Sequence, residues 1–535
     1  MEFKFGGSEI NQRTVLGHPT GLFILFFTEM WERFSYYGMR AILVLFLVSS
    51  IMDEGWGWER ADALVLYAWY TGLVYVTPIF GGLIADKIMG YRNAIILGAL
   101  LMTLGHASMA FEVVADPFFF LGLGLLIIGN GLFKPNISSI VGQLYLNQGK
   151  EKDAGYTIFY MGINAGAFLG ILLCGYLGEM VGWHWGFGLA GIFMFFGMIQ
   201  FYFAQTIFGK IGLNAKKTDN YVETRTYTGE VQDEDGGKFD NAAPVPEEET
   251  TPEVRRDRLI VIGVLAFFTI FFWWAFEQAG GSMTIFAADY TDRVLVGDGA
   301  LIFKVFNTLL TVIPLLIITW VLILLFRQTF SNYPRANTAL GISFVIIWGI
   351  VIWMLSEQFS ADSPEVPASW FGILNSFFII AFAPLFSKLW ESKYNPSGPI
   401  KFAIGLILLG LGFAILAYGS MGIPIGAKTA SVSMIFLILA YLFHTLGELC
   451  VSPVGLSYVS KLSPVKLVGL MFGVWFVANF IANLLAGVTG SYIDPIVEEY
   501  GMTTFFLLFT LVPIGAGIVM FLLNKTLIKK MHGIR

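Results

Sequence analysis

The sequence predicts an all-α membrane protein with two six-helix bundles plus an extra helical hairpin, fourteen transmembrane helices in total. Of its 535 residues, 56% are hydrophobic and 13% are charged, whereas a soluble domain carries about 25% charged residues. Apolar stretches of about 20 residues, the length that spans a bilayer, recur along most of the chain. Lysine and arginine residues collect in alternate loops, as they do on the cytoplasmic side of membrane proteins.

The apolar stretches form two groups separated by a polar segment. Residues 208–257 contain Pro244, Pro246 and a run of three glutamates at 247–249, which predicts a solvated cytoplasmic linker. Residues 1–207 are then the N-terminal six-helix bundle, and residues 258–535 the C-terminal bundle with the extra hairpin at about 300–356. The predicted spans lie near 20–50, 62–86, 93–113, 118–146, 155–180, 185–207, 258–288, 300–326, 336–356, 367–390, 399–419, 430–459, 466–493 and 502–524.

The loop charges predict the orientation of the chain in the membrane. Loops on one side carry the basic residues Lys4, Arg13, Lys87, Arg92, Lys150, Lys152, Lys210, Arg255, Arg327, Arg335, Lys388, Lys461 and Lys529, among others. Loops on the other side hold few basic residues and carry the acids Asp53, Glu54, Asp116, Asp292, Glu365, Asp494 and Glu498. Because the asymmetry holds at each crossing, both termini are predicted to be cytoplasmic and the number of spans to be even.

Composition also argues against several classes of protein. A net charge of −6 does not suit a nucleic-acid partner. The two cysteines, Cys174 and Cys450, fall in apolar runs, and the five histidines show no metal-ligand spacing, so neither a disulfide framework nor a metal site or other cofactor is expected. A membrane-embedded enzyme would need a metal cluster or a nucleophile beside a base within the spans, and the sequence shows neither.

A small set of ionisable side chains stands out within the predicted spans, where each costs roughly 2.5 kcal/mol or more. Such residues usually face an aqueous cavity, and here four acids nearly balance three bases, which predicts mutual pairing around one cavity. They are Glu29, Glu32, Arg33, Arg40, Lys134, Glu277 and Glu448.

The first span concentrates four of these charges on one helix face. At about 100° per residue, Glu29, Arg33, Tyr36 and Arg40 lie within a narrow arc, with Glu32 and Tyr37 beside it. Such a stripe cannot face lipid. A simpler interpretation of this charged stripe is a static ladder of salt bridges that only holds helices together, although fewer charges would be enough for helix packing.

Five motifs occur in order along the chain, each in a predicted span. They are Glu-x-x-Glu-Arg-Phe-x-Tyr-Tyr-Gly at 29–38, Phe-Lys-Pro-Asn at 133–136, Phe-Tyr-Met-Gly-Ile-Asn-Ala-Gly at 159–166, Phe-Trp-Trp-Ala-Phe-Glu-Gln at 272–278 and Leu-Gly-Glu-Leu-Cys-Val-Ser-Pro at 446–453. Together they resemble the proton-dependent oligopeptide transporter family of the major facilitator superfamily. The loop from Gly81 to Arg92 also resembles that superfamily's loop signature. Bacterial members often insert their extra hairpin between the two bundles, whereas here it would follow the seventh core helix.

The chemistry of a zwitterionic peptide, together with this resemblance, implies roles for the polar residues. The peptide carboxylate would be held by the cations Arg33, Arg40 and Lys134. The peptide ammonium would be held by the carboxylate of Glu448. The peptide backbone would be hydrogen-bonded by the amides of Asn164 and Asn375. The walls for variable side chains would be Tyr36, Tyr37, Tyr75, Trp273 and Trp475, with Ser452 beside Glu448; for single aromatics and Ser452, packing is an equal alternative. Proton coupling would involve Glu29, Glu32, Arg33 and Glu277.

The resemblance implies a bacterial-type symporter that imports di- and tripeptides with protons across the cell (inner) membrane, by rocking of the two halves around a shared site. It suggests that Glu277 also pairs with Arg40 to close the outer side. The partners would be small peptides, protons and membrane lipid. Alternatives are a major facilitator carrier of nitrate, a sugar or a drug, or a channel. The sequence leaves open which carboxylate carries the proton.

Overall fold

The computed structural model describes residues 3–146, 150–214, 251–464 and 467–534, and these are mostly helical. Each of the fourteen predicted spans coincides with a helix, which confirms the all-α assignment. The helices are α1 (Thr20–Val48), α2 (Arg60–Ile84), α3 (Tyr91–Ala110), α4 (Pro117–Gln143), α5 (Lys150–Met180), α6 (Trp183–Ala204), α7 (Pro252–Phe276), α8 (Ser282–Asp289), α9 (Gly297–Thr329), α10 (Pro334–Ser360), α11 (Ile373–Glu391), α12 (Gly398–Gly419), α13 (Ile435–Leu462), α14 (Val468–Gly490), α15 (Ile493–Tyr500) and α16 (Met502–Lys530).

Thirteen helices in the described residues are long and apolar enough to cross a membrane. Helix α1 is not among them, although its 29 residues would extend about 43 Å at 1.5 Å per residue. Its charges, Glu29, Glu32, Arg33 and Arg40, explain the difference, because they lower the apolar character of an otherwise hydrophobic helix. The count of fourteen spans and the cytoplasmic position of both termini stay predictions.

The seventh predicted span differs from the structure in two ways. Helix α7 begins at Pro252, six residues before the predicted span, and the Thr251 hydroxyl caps it by accepting from the Val254 N–H at 3.4 Å. The span predicted at 258–288 is also broken, since a 3₁₀ turn at Glu277–Gly280 separates α7 from α8. Residues 215–250, most of the predicted linker, lie outside the described residues.

The chain divides into two compact units. The first contains residues 1–46, 77–223 and 293–370, and the second contains residues 47–76, 224–292 and 371–535. The hairpin α9–α10 therefore belongs to the first unit, where α10 packs against α6. Its Phe344 ring lies 5.6 Å from Trp31 of α1, and Thr206 donates to the Tyr333 hydroxyl at 3.3 Å. The domain limits predicted at 207 and 258 stay predictions.

Small residues let the helices of the first unit approach closely where the charges lie. A Cβ at Gly166 of α5 would stand 2.2 Å from the Met30 carbonyl and 2.9 Å from the Arg33 Cβ on α1. A Cβ at Gly131 of α4 would likewise meet Thr77 of α2 at 2.6 Å. Backbone contact of this kind is how helices associate in lipid, and it fixes the helices that present the intramembrane charges.

The described part also contains two very short β-ladders. Thr14–Val15 pairs antiparallel with His18–Pro19 before α1, and Thr291–Asp292 pairs parallel with Val432–Ser433. His18 packs beside Tyr145, with the Nδ1 atom 2.8 Å from the phenol oxygen. Burial lowers the pKa of His18, which favours its neutral form in this segment.

Candidate functional site: two sets of buried polar residues

The first unit holds a buried cluster of two carboxylates around one guanidinium. Arg33 Nε lies 2.7 Å from Glu29 Oε1 and 3.0 Å from Glu32 Oε2, and all three side chains are at most 2% exposed. The second Glu32 oxygen, Oε1, accepts from Asn130 Nδ2 of α4 at 2.9 Å. Two acids thus share one base at a fully buried position.

The other predicted residues of this unit lie on α1, α4 and α5. Tyr36 is buried, Tyr37 and Arg40 are half-buried, and the two phenol rings lie 5.1 Å apart. Lys134 is half-buried, four residues after Asn130 on α4, so it projects from the same helix face. Asn164 of α5 is buried and donates to the Tyr160 carbonyl at 3.2 Å.

The second unit holds a buried carboxylate oriented by neutral partners. Asn375 of α11 donates to Glu448 Oε2 of α13 at 2.6 Å and to the Thr445 hydroxyl at 3.2 Å. Glu448 is 1% exposed. The Asn375 amide thereby fixes the orientation of the Glu448 carboxylate. Asn375 therefore contacts Glu448 directly, in addition to the backbone-binding role predicted for it.

The remaining predicted residues also fall in the second unit. Glu277 is 4% exposed and stands at the first position of the 3₁₀ turn after α7. Such a turn inside a spanning segment often marks a hinge or a functional site. The adjacent Gln278 fixes it by donating to the Ala486 carbonyl at 2.9 Å and accepting from Ser282 at 2.6 Å. The other members, all buried, are Tyr75, Trp273, Ser452 and Trp475.

Two partners in these sets were missed by sequence reasoning. Asn130 and Thr445 are neutral, so the search for intramembrane charges passed over them. A signal was nevertheless present, because Asn130 lies four residues before Lys134 and Thr445 three residues before Glu448, positions that share a helix face.

A third missed feature is a set of ion pairs around Arg60 at the start of α2, within the second unit. Its Nη2 lies 2.6 Å from Asp289 at the end of α8, and its Nη1 lies 2.7 Å from Asp494 of α15. The neighbouring Tyr290 phenol is 3.4 Å from Nη1 and donates to the Ala427 carbonyl at 3.0 Å. Burial raises the pKa of Tyr290, so the phenol stays a donor. Arg60 joins three helices that are far apart in sequence.

Arg60→Gln should therefore lower the thermal-denaturation midpoint of the purified protein by roughly 1–3 °C, the size expected for a partly exposed ion-pair network. The double variant Asp289→Asn/Asp494→Asn should lower it similarly, and combining all three changes should add little, because they remove the same interactions. Glu59→Gln changes an exposed neighbouring acid and serves as the matched control. Fully additive losses would contradict the shared network.

Comparison with known proteins places these observations in a family. The sequence profile of the POT family matches residues 92–232 and 335–506. The chain is 32% identical to the uncharacterized transporter YclF of Bacillus subtilis (98% of this chain, 97% of the relative) and 30% identical to a di-/tripeptide transporter of Lactococcus lactis (98% and 99%). It is 31% identical to the peptide transporter YePEPT of Yersinia enterocolitica (90% and 89%).

Solved structures agree with the sequence relatives. A crystal structure of the peptide transporter POT in complex with sulfate superposes with a TM-score of 0.72 at 28% identity, covering 97% of both chains. A POT family transporter in complex with 5-aminolevulinic acid gives a TM-score of 0.72 at 27% identity, covering 96% of this chain and 98% of that one. The profile covers more than half of the chain, and relatives of at least 30% identity extend along nearly all of it. The chain belongs to the POT family, a family of transporters and not of enzymes.

Proposed function

We propose that this chain imports di- and tripeptides together with protons, by alternating access across the cell membrane. The observation that carries the proposal is the buried cluster in which Glu29 and Glu32 share Arg33. Membership of the POT family supports it, as do relatives described as di-/tripeptide transporters. Buried charge without a task would be costly in a spanning helix.

Peptide binding would use both polar sets. The cations Arg33, Arg40 and Lys134 would attract the peptide carboxylate, for which the planar guanidinium is well suited. Glu448, oriented by Asn375, would attract the peptide ammonium. Because such contacts address the ends of the peptide, the identity of its side chains would be loosely restricted. The predicted pairing of Arg40 with Glu277 stays part of this proposal.

Proton coupling would reside in the first set. While Arg33 pairs with both acids, each is stabilised in its ionised form; when Arg33 turns to a substrate carboxylate, one acid loses its counter-charge and takes up a proton. Glu32 is our first candidate, because it is the more completely buried of the two acids and its ion pair with Arg33 is the longer one, 3.0 Å against 2.7 Å for Glu29. Glu29 and Glu277 are the alternatives.

The proposal includes the topology predicted from loop charges. Helix α1 would be the fourteenth span, its charges facing the polar site instead of lipid, and both termini would lie in the cytoplasm. Hairpin α9–α10 would be an addition to the twelve core helices. On this topology the Arg60 ion pairs lie on the outer side of the membrane.

Counterflow in proteoliposomes tests the substrate class. Vesicles preloaded with unlabelled dialanine should accumulate labelled dialanine transiently, and loading with trialanine should give the same result. Loading with alanine, tetra-alanine, nitrate or glucose should not. A saturable countertransport signal would also separate a carrier from a channel. Equal signals with nitrate or glucose would contradict the assignment.

A further inference from the structure

Asn130 lies between two glycines of α4 that pack against two different helices. The preceding Gly129 lies against α3, where a Cβ would stand 2.8 Å from the Gly98 carbonyl. The following Gly131 lies against α2, where a Cβ would stand 2.6 Å from Thr77. Successive residues of a helix point about 100° apart. With its neighbours held against α3 and α2, Asn130 is directed at α1, where its Nδ2 donates to Glu32 Oε1.

The side-chain amide of Asn130 has an acceptor oxygen in addition to the N–H group that donates to Glu32. Its side chain is 1% exposed, and its Oδ1 has no hydrogen-bond partner among the described residues. Buried polar atoms are nearly always paired, and each exception asks for an explanation. Here the unused atom is an acceptor that belongs to the same amide as the donor to Glu32.

We infer that Asn130 is a positioning residue that pairs with Glu32 in both of its charge states, as donor through Nδ2 when Glu32 is ionised and as acceptor through Oδ1 when it is protonated. An amide carries a donor and an acceptor at nearly equivalent positions, so a half-turn of the side-chain amide exchanges them. The carboxylic O–H formed on proton uptake then has a partner in place. The inference rests on the proposed proton coupling, in which Glu32 is the acid that titrates.

Charged groups near Glu32 lie on two helices. They are Arg33 and Glu29 on its own helix and, on α4, Lys134, which follows Asn130 by one turn. Arginine and lysine are donors without an acceptor, so they stabilise only the ionised acid. The other helices that pack on α1 here present uncharged residues, namely Gly162 and Gly166 of α5, Met194 and Gly197 of α6, and Phe344 of α10.

The experiment measures labelled dialanine uptake into proteoliposomes as a function of external pH. Asn130→Leu removes a donor from the ionised form of Glu32 and an acceptor from the protonated form. Because the hydrogen bond to the charged form is the stronger of the two, protonation then occurs at higher pH, and the midpoint of the uptake profile should rise by about one pH unit. Asn130→Asp has the same size as asparagine but adds a like charge beside Glu32, and it should raise the midpoint at least as far. This second variant covers the case in which the leucine variant does not fold.

Two controls separate this role from a structural one. Asn136→Leu makes the same change at another buried asparagine of α4, whose amide donates locally to the Leu132 carbonyl, and it should leave the midpoint unchanged. In a Glu32→Gln background, Asn130→Leu should no longer shift any residual pH dependence.

Two results would overturn the inference, and they are distinguishable. If Glu32→Gln loses pH-driven accumulation but both Asn130 variants keep the wild-type midpoint, the coupling proposal stands and Asn130 is only structural. If Glu32→Gln keeps the wild-type pH profile, Glu32 does not titrate, and that part of the proposed function fails together with this inference.

Discussion

Glu32→Gln is expected to abolish pH-driven accumulation of dipeptide while leaving exchange of labelled for unlabelled dipeptide intact. Glutamine keeps the shape of the side chain and can still accept from Asn130, and Arg33 keeps its ion pair with Glu29 at 2.7 Å. The substitution therefore removes the titration with little change in packing. Exchange needs no net proton movement, so it should survive. The measurement compares uptake driven by an acid-outside gradient with counterflow, in the same vesicle preparation.

Controls for this prediction use the same chemical change elsewhere. Glu112→Gln alters another buried carboxylate, just after α3, and should keep accumulation. Glu29→Gln tests whether Glu29 also takes up the coupled proton, since Glu29 pairs with the same Arg33 guanidinium. If Glu29→Gln and Glu32→Gln both still concentrate peptide on a pH gradient alone, the titrating group is elsewhere. Glu277, at the break after α7, would become the leading candidate.

Glu448→Gln should weaken peptides with a free N-terminus by about 10- to 100-fold, the factor that corresponds to losing one charge-assisted hydrogen bond. Glutamine can still accept from Asn375, so the local hydrogen bond to α11 is kept and the negative charge alone is lost. An N-acetylated peptide has no ammonium group and should be affected much less. Competition against labelled dialanine, with dialanine and N-acetyl-dialanine as competitors, measures both effects.

The comparison between the two competitors is what carries this test. An equal loss of affinity for both competitors would show that Glu448 shapes the site without binding the peptide ammonium group. Glu365→Gln, at a partly exposed acid paired with Arg293, controls for a general loss of negative charge and should change neither affinity.

Most of the fold could be predicted because the membrane imposes a minimum length on each apolar segment. Every predicted span corresponds to a helix, and α12 and α16 begin within one residue of the predicted positions. The break after Phe276 was not predicted, because a short polar, Gly-rich stretch at 277–281 within a long apolar segment is also compatible with a continuous helix. It depends on tertiary contacts, chiefly the hydrogen bonds of Gln278 to Ala486 and Ser282.

The candidate site shows the same division. Charged residues such as Arg33 and Glu448 were recognisable because charge is expensive in a spanning helix. Asn130 and Thr445 gave only the weaker signal of their spacing from Lys134 and Glu448, since neutral polar residues are common in such helices. Only the packing shows that Asn130 donates to Glu32 and that Thr445 accepts from Asn375. The ion pairs of Arg60 join segments more than 200 residues apart in sequence, and a single sequence holds no signal for that proximity.

The central claim, proton-coupled import of small peptides, is tested most directly by uptake of labelled dialanine into proteoliposomes with and without an imposed pH gradient. With acid outside, the internal concentration should rise above the external one and then decay as the gradient is lost. An inside-negative potential should accelerate this uptake, because a zwitterion moving with a proton carries net positive charge inward. Without a gradient or potential, dialanine should only equilibrate. The account would be contradicted if accumulation depended on neither the pH gradient nor the membrane potential. It would also be contradicted if dialanine uptake were no greater than in protein-free liposomes.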